Sequence, residues 1–250
     1  MKTSVTKQKA SGRYKNASRA RKNKTISKKD SSPEHKSPIK DERRKAILKA
    51  AVKVFADKGY HGCRISDVAN EAGVAYGLVY HYFGNKDALL GTIFETNWAV
   101  LTKALDEILG TEFSTREKLT QIVNFLFQAY VLSPLIVKVL ILEFGRSSRL
   151  GEALETPEMH HVFRTLAHMF RAAEERGELL PGINPAAAAV TVLGSIESVL
   201  AAFVMPTNAM DRDKEFLDFE AARRSVVTVL THGLLKSETP SNSNDQNQVI

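Results

Sequence analysis

Between residues 74 and 90 the chain reads VAYGLVYHYFGNKDALL, which places Tyr76, Tyr80, His81 and Tyr82 within seven positions and Lys86 four residues further on. Hydroxyls, an imidazole and an ammonium suit phosphate oxygens and base edges better than they suit a core. A helix carrying them outward also offers its positive N-terminal pole to an anion. Gly77 among them lets the backbone approach closely. The chemistry these residues fit is recognition of nucleic acid.

Bond-making chemistry has little support. There is no glycine-rich phosphate loop and no GxSxG elbow, and the single cysteine, Cys63, excludes an internal disulfide and a multi-thiolate metal site. His160, His161 and His168 are the histidines that invite a metal reading. Neighbours on a helix point about 100° apart, and two turns separate His161 from His168, too far for one ion. The expectation is a protein that is not an enzyme, with no catalytic residues, no metal and no cofactor.

A helix presenting residues 76–82 needs a scaffold, and ISDVANEAGVAYGLVYHYF supplies one. Ala69 stands where two helices cross closely, and Gly73 can take the positive φ of a tight interhelical turn. Val68, Ala72, Val74 and Val79 supply the faces that lock the pair together. The preceding stretch DERRKAILKAAVKVFADKG has apolar residues at 47, 50, 51, 54 and 55 before Gly59 stops it. Helices are expected over 66–73 and 76–82, with Asn85 capping a long fourth helix. Phe83 is expected in the core.

Charge agrees with a polyanionic partner at this end. Residues 1–40 hold 13 Lys/Arg against 2 acids, residues 41–90 hold 8 against 6, and residues 91–250 hold 14 against 20. The net +7 is therefore concentrated at the N-terminal end. Residues 1–40 are rich in Lys, Ser and Asn and read as a disordered basic tail. Residues 237–250 read as a polar tail of the same kind. No apolar leader precedes the tail, so a cytoplasmic location is expected.

The remainder, residues 91–236, reads as helix throughout. Ser114 and Glu117 form a capping-box pattern, Ser133-Pro134 opens LIVKVLILEF, and Thr156-Pro157 opens a helix running to Gly177. Asn184-Pro185 opens the next, and a last helix is expected from about Asp213 to Leu235. From Pro185 to Met210 the only charge is Glu197. Polar residues in its middle and the lack of basic flanks favour a buried helix over a membrane span.

AILKAAVKVFADKGYHGCRISDVANEAGV followed by GLVYHYFGNKDALL resembles the DNA-binding half of TetR-type bacterial transcriptional regulators. The resemblance implies an all-α protein of about nine helices. Residues 41–90 would form a three-helix helix-turn-helix domain, joined to a ligand-binding and dimerisation domain over 91–236. The family's DNA contacts fall on Arg64, Ala75, Tyr76, Gly77, Leu78, Tyr80, His81, Tyr82 and Lys86. The chain departs from the common pattern where Arg64 replaces Ser or Thr, Ala75-Tyr76 replaces Ser-Lys, and Leu78 replaces Thr. Tyr76 and Leu78 then become candidates for base contact, for instance with a thymine methyl.

In the second half, LEFGRSSRL and GELLPGINPAAAAVTVLGSIESVLAAFVM resemble regulators of fatty-acid degradation that respond to long-chain acyl-CoA. An apolar pocket could be lined by Phe125, Phe127, Tyr130, Leu142, Phe144, Phe163 and Phe170, with Arg146 and Arg149 toward a phosphate-bearing head group. The resemblance further implies a homodimer on a palindromic operator, paired through the last two helices. Val190, Leu193, Gly194, Val199, Phe203, Val226, Val229 and Leu230 are the candidate interface residues. The expected function is a repressor released by a small apolar effector. Two alternatives stay open: a DNA-binding dimer without a ligand, and a regulator of a drug-efflux or other metabolic operon.

Overall fold

Helix breakers and caps divide the chain much as the sequence predicts. The computed structural model describes residues 38–146, 157–205 and 217–237, with side chains placed over 40–142 in the first of these. The basic N-terminal tail as far as residue 37, the polar C-terminal tail beyond residue 237, and Arg149 lie outside the described residues. So do the side chains of Phe144 and Arg146. Residues 38–40, expected in the tail, instead begin the first helix.

Nine helices are present among the described residues. The N-terminal group comprises α1 (Pro38–Gly62), α2 (Ile65–Ala72), α3 (Tyr76–Phe83) and the start of α4 (Lys86–Leu109). Gly59 interrupts α1 with φ 70°, where the sequence places its stop. The five apolar positions expected on its inner face, Ile47, Ala50, Ala51, Val54 and Phe55, are all buried. Gly73 closes α2 with φ 64°, and the Val74 N–H donates to the Ala69 carbonyl at 3.0 Å. That turn lets Val68, Ala69 and Val79 meet in a closed core.

Local capping starts the longer helices. The Ala88 N–H donates to Asn85 Oδ1 at 2.7 Å, and the Ser114 N–H donates to a Glu117 carboxylate oxygen at 2.8 Å. These satisfy donors that the first helical turn leaves without partners. After Ser114 follow α5 (Thr115–Leu132), α6 (Pro134–Arg146), α7 (Pro157–Glu175), α8 (Pro185–Val204) and α9 (Phe219–Leu234). Asn184 caps α8 by accepting from the Ala186 and Ala187 N–H groups at 2.9 and 3.0 Å.

The last helix begins later than expected. Asp218 caps α9 by accepting from the Ala221 N–H at 2.7 Å, which puts its start at Phe219 and not near Asp213. Behind α7 and α9 the chain pairs briefly: the Leu180 N–H donates to the Leu234 carbonyl at 2.9 Å. This isolated bridge, Leu179 with Leu235, is the only β-type pairing among the described residues.

Two hydrophobic cores result, and the boundary expected at residue 90 is not a gap between them. Helix α4 gives Leu89 and Ile93 to the N-terminal core, then Leu101 and Leu105 to the body. Helix α6 packs on α1, and its Val139, almost fully buried, belongs to the N-terminal core. Helix α8 is long and apolar enough to cross a membrane by length and composition. In the fold one side of it, Ala188, Val192, Ile196 and Leu200, fills the body core.

Candidate nucleic-acid interface and ligand cavity

The outward face of α3 is set by what its inward face buries. Val79 and Phe83 enter the core, which turns Tyr76, Gly77, Tyr80 and His81 to solvent. Tyr76 and Tyr80 are 51% and 41% exposed, a large aromatic area for a soluble helix. One turn apart, they pair: the Tyr76 hydroxyl donates to the Tyr80 hydroxyl at 2.9 Å, with ring centroids 4.9 Å apart. That hydrogen bond pushes the Tyr76 phenol above its ordinary range. The pair is a preformed hydroxyl-bearing platform.

Around the platform, Ala75 is exposed at the N-cap of α3, and Arg64 is exposed at the N-cap of α2. Arg64 holds its own turn by donating its backbone N–H to Asp67 Oδ2 at 2.7 Å, so its guanidinium is not spent on capping. Leu78 and Tyr82 are half-buried, and Tyr82 packs against the N-terminal core. Of the expected DNA contacts, Arg64, Ala75, Tyr76, Gly77, Tyr80 and His81 therefore stand clear of the core. Tyr82 divides its surface between core and solvent, and Leu78 is half-buried.

Lys86 is placed differently from expectation. Its ammonium donates to the Tyr60 carbonyl at 2.8 Å and to the Cys63 carbonyl at 3.1 Å, and lies 4.2 Å from the centre of the Tyr60 ring. The neighbouring Asp87 accepts a hydrogen bond from the Tyr60 hydroxyl. A cation at the N-terminus of α4 is unfavourable to that helix, but carbonyls at the end of α1 offset this. Lys86 thus ties α4 to the α1–α2 turn and reaches inward. Replacing Lys86 with Ala is expected to cost about 1–3 kcal/mol of stability. The slope of log affinity for DNA against log salt should stay unchanged, whereas loss of a phosphate contact would lower it by about 0.9.

In the body, α4 to α8 line a cavity of about 710 Å³ that is open on one side, where Val100, Leu132 and Val190 are exposed. Its walls are Trp98, Val100 and Leu101 of α4; Phe125, Leu126, Ala129 and Leu132 of α5; Ile136, Val137, Leu140 and Ile141 of α6; Met159, Phe163 and Ala167 of α7; and Ala186, Val190, Leu193, Gly194, Ile196 and Leu200 of α8. Only Asn97, Gln128, Ser133 and Glu197 interrupt this apolar lining. Size and character match a site for a small apolar molecule.

Of the predicted pocket residues, Phe163 lines the cavity, as does Phe125. Phe127 and Phe170 have no exposed surface and fill the core, with Phe127 also bordering a separate shallow recess beside Phe219 and Arg223. Tyr130 stacks on Phe219 at 5.4 Å, and Leu142 lies beyond the lining stretch of α6. These four placements correct the expectation. The walls that reasoning from aromatics missed are mostly aliphatic. The signal for them was the all-round apolar character of LIVKVLIL, which requires burial on two sides.

The candidate dimer residues also divide. Val190 and Val229 are 58% and 67% exposed. Leu193, Gly194, Val199 and Phe203 are half-buried, the first two on the cavity wall. Val226 and Leu230 are buried in the body core and have no surface to give a partner, which corrects that part of the expectation. The exposed side of α9 is formed by Arg224, Ser225, Thr228, Val229 and His232. Elsewhere, His161 Nε2 meets Asp106 at 2.9 Å, and no group of three His, Cys, Asp or Glu suited to a metal occurs among the described residues.

A helix-turn-helix with an exposed second helix, set on a helical body with an apolar cavity, defines a DNA-binding transcription regulator of the ligand-binding type. Residues 47–93 match the family described as "Bacterial regulatory proteins, tetR family". The chain is 26% identical over 188 residues to the fatty acid metabolism regulator protein of Bacillus subtilis, covering 75% of this chain and 93% of that one. The solved structure of the fatty acid degradation regulator FadR from Bacillus halodurans is 25% identical, with a TM-score of 0.63 over 76% of this chain and 98% of its own. FadR from Bacillus subtilis, solved in complex with stearoyl-CoA, matches with a TM-score of 0.63 at 24% identity over the same shares. These relatives are regulators and not enzymes.

Proposed function

We propose that this chain is a cytoplasmic homodimeric repressor that binds a palindromic operator and is released by a long-chain acyl-CoA or a closely related acyl effector. The observation that carries the reading is the double role of α4 and α6. Each walls the cavity and also enters the N-terminal core. Helix α4 does so through successive stretches, Leu89 and Ile93 in the core and then Trp98 and Leu101 on the cavity. Helix α6 does so through different faces, Val139 in the core with Val137 and Leu140 on the cavity. A ligand that swells the cavity shifts both helices, and the recognition helices of two subunits change their spacing.

The acyl class is supported by the aliphatic walls and by the stearoyl-CoA bound to the Bacillus subtilis relative. DNA contact is assigned to Arg64, Ala75, Tyr76, Gly77, Leu78, Tyr80, His81 and Tyr82. Dimerisation is assigned to the sides of α8 and α9 turned away from the cavity, including Val199 and Val229. Native mass spectrometry of the purified protein tests both halves of this reading. A species of twice 27.7 kDa carrying an acyl compound is expected. A monomer, or a dimer that takes up no added acyl-CoA, would contradict it.

A further inference from the structure

Glu197 is the one charged residue of α8, and it stands on the cavity wall. Ala186, Val190, Leu193 and Glu197 follow at i, i+4, i+7 and i+11, so the carboxyl lies along the middle of the face that α8 turns to the cavity. No hydrogen bond or ion pair to Glu197 exists among the described residues, and burial pushes its carboxyl above the ordinary range with no compensating contact. A half-buried carboxylate facing an apolar space opposes stability, and an apolar residue there would remove that cost. One other polar group leans the same way: the Asn97 Nδ2 donates to the Ile93 carbonyl at 2.7 Å, which leaves its amide oxygen to accept.

We propose that Glu197 is the polar anchor of the cavity, and that the cavity selects apolar chains whose head group donates a hydrogen bond over chains ending in a free carboxylate. This rests on the cavity being the effector site. It deepens that reading, because an acyl thioester of pantetheine carries amide N–H donors beyond its carbonyl, whereas a free fatty acid offers only an anion. Within the site Glu197 sets specificity, and the aliphatic walls supply most of the affinity.

The chain's single tryptophan, Trp98, lines the same cavity and serves as a built-in reporter. Full-length protein is titrated at about pH 8, on the alkaline side, because burial raises the Glu197 carboxyl and higher pH favours its ionised form. The probes are dodecylamine, dodecanol and dodecanoate below their aggregation limits. Dodecylamine should bind about tenfold or more tighter than dodecanoate, with dodecanol between them. Glu197→Gln should bring amine and carboxylate within about threefold while dodecanol affinity holds. Glu197→Leu should do the same and raise the melting temperature.

Equal binding of all three probes would leave the cavity in place and overturn the anchor. So would an amine preference that survives in Glu197→Gln. If no probe alters Trp98 emission, the effector-cavity reading falls, and the role of Glu197 with it.

Discussion

Gly77→Leu keeps the fold and abolishes operator binding. Gly77 is exposed in α3 between Tyr76 and Leu78, and a Cβ built on it meets no atom within 4 Å. Its backbone is helical, so leucine there is favoured over glycine by up to about 1 kcal/mol of helix propensity. The melting temperature should hold or rise. On DNA the same side chain projects from the face that must approach the groove, and it would hold the helix away from base edges and phosphates together. Losing about 3 kcal/mol of contacts corresponds to at least a hundredfold in affinity. Circular dichroism and a binding titration on one preparation separate the two effects. A variant that unfolds would show that Gly77 serves packing, and one that binds normally would remove α3 from the interface.

Ala167→Trp should give the reverse phenotype, a repressor that stays on DNA whatever the effector concentration. Ala167 lines the cavity from α7, and its packing neighbours lie in the body core. An indole there enters space that is already open, so the overpacking cost is modest. It occupies volume that an acyl chain needs, while α1 to α3 are untouched. Operator affinity should stay within about threefold of the parent, and the acyl-CoA concentration for half-release should rise by about a hundredfold or more. Release at the parent's concentration would place the effector outside this cavity.

The parts of this structure that were legible in the sequence are those set by neighbours in the chain. The spacing of Ile47, Ala50, Ala51, Val54 and Phe55, the turn at Gly73, and the caps Asn85, Ser114 and Asn184 are each decided within about four residues. The exposed tyrosines followed, because burying Val79 and Phe83 dictates where Tyr76 and Tyr80 point. Lys86 did not follow, since the carbonyls that hold it belong to Tyr60 and Cys63, more than twenty residues earlier. Nor did the cavity. Whether Phe127, Phe163 or Phe170 faces a core or a void depends on how α5, α7 and α8 cross, and a helical stripe carries no mark of it. Val226 and Leu230 were misassigned for the same reason: an apolar position on α9 meets the body or a partner according to the rotation of the helix. The start of α9 falls at Phe219 because Asp218 caps it, accepting from the Ala221 N–H.

Whether an acyl effector releases the protein from DNA is the central question, and an electrophoretic shift on the promoter of the chain's own gene answers it directly. The free protein should retard the fragment, and stearoyl-CoA should restore its mobility in a dose-dependent way. A complex that forms only when stearoyl-CoA is added, or that grows stronger with it, would contradict the account.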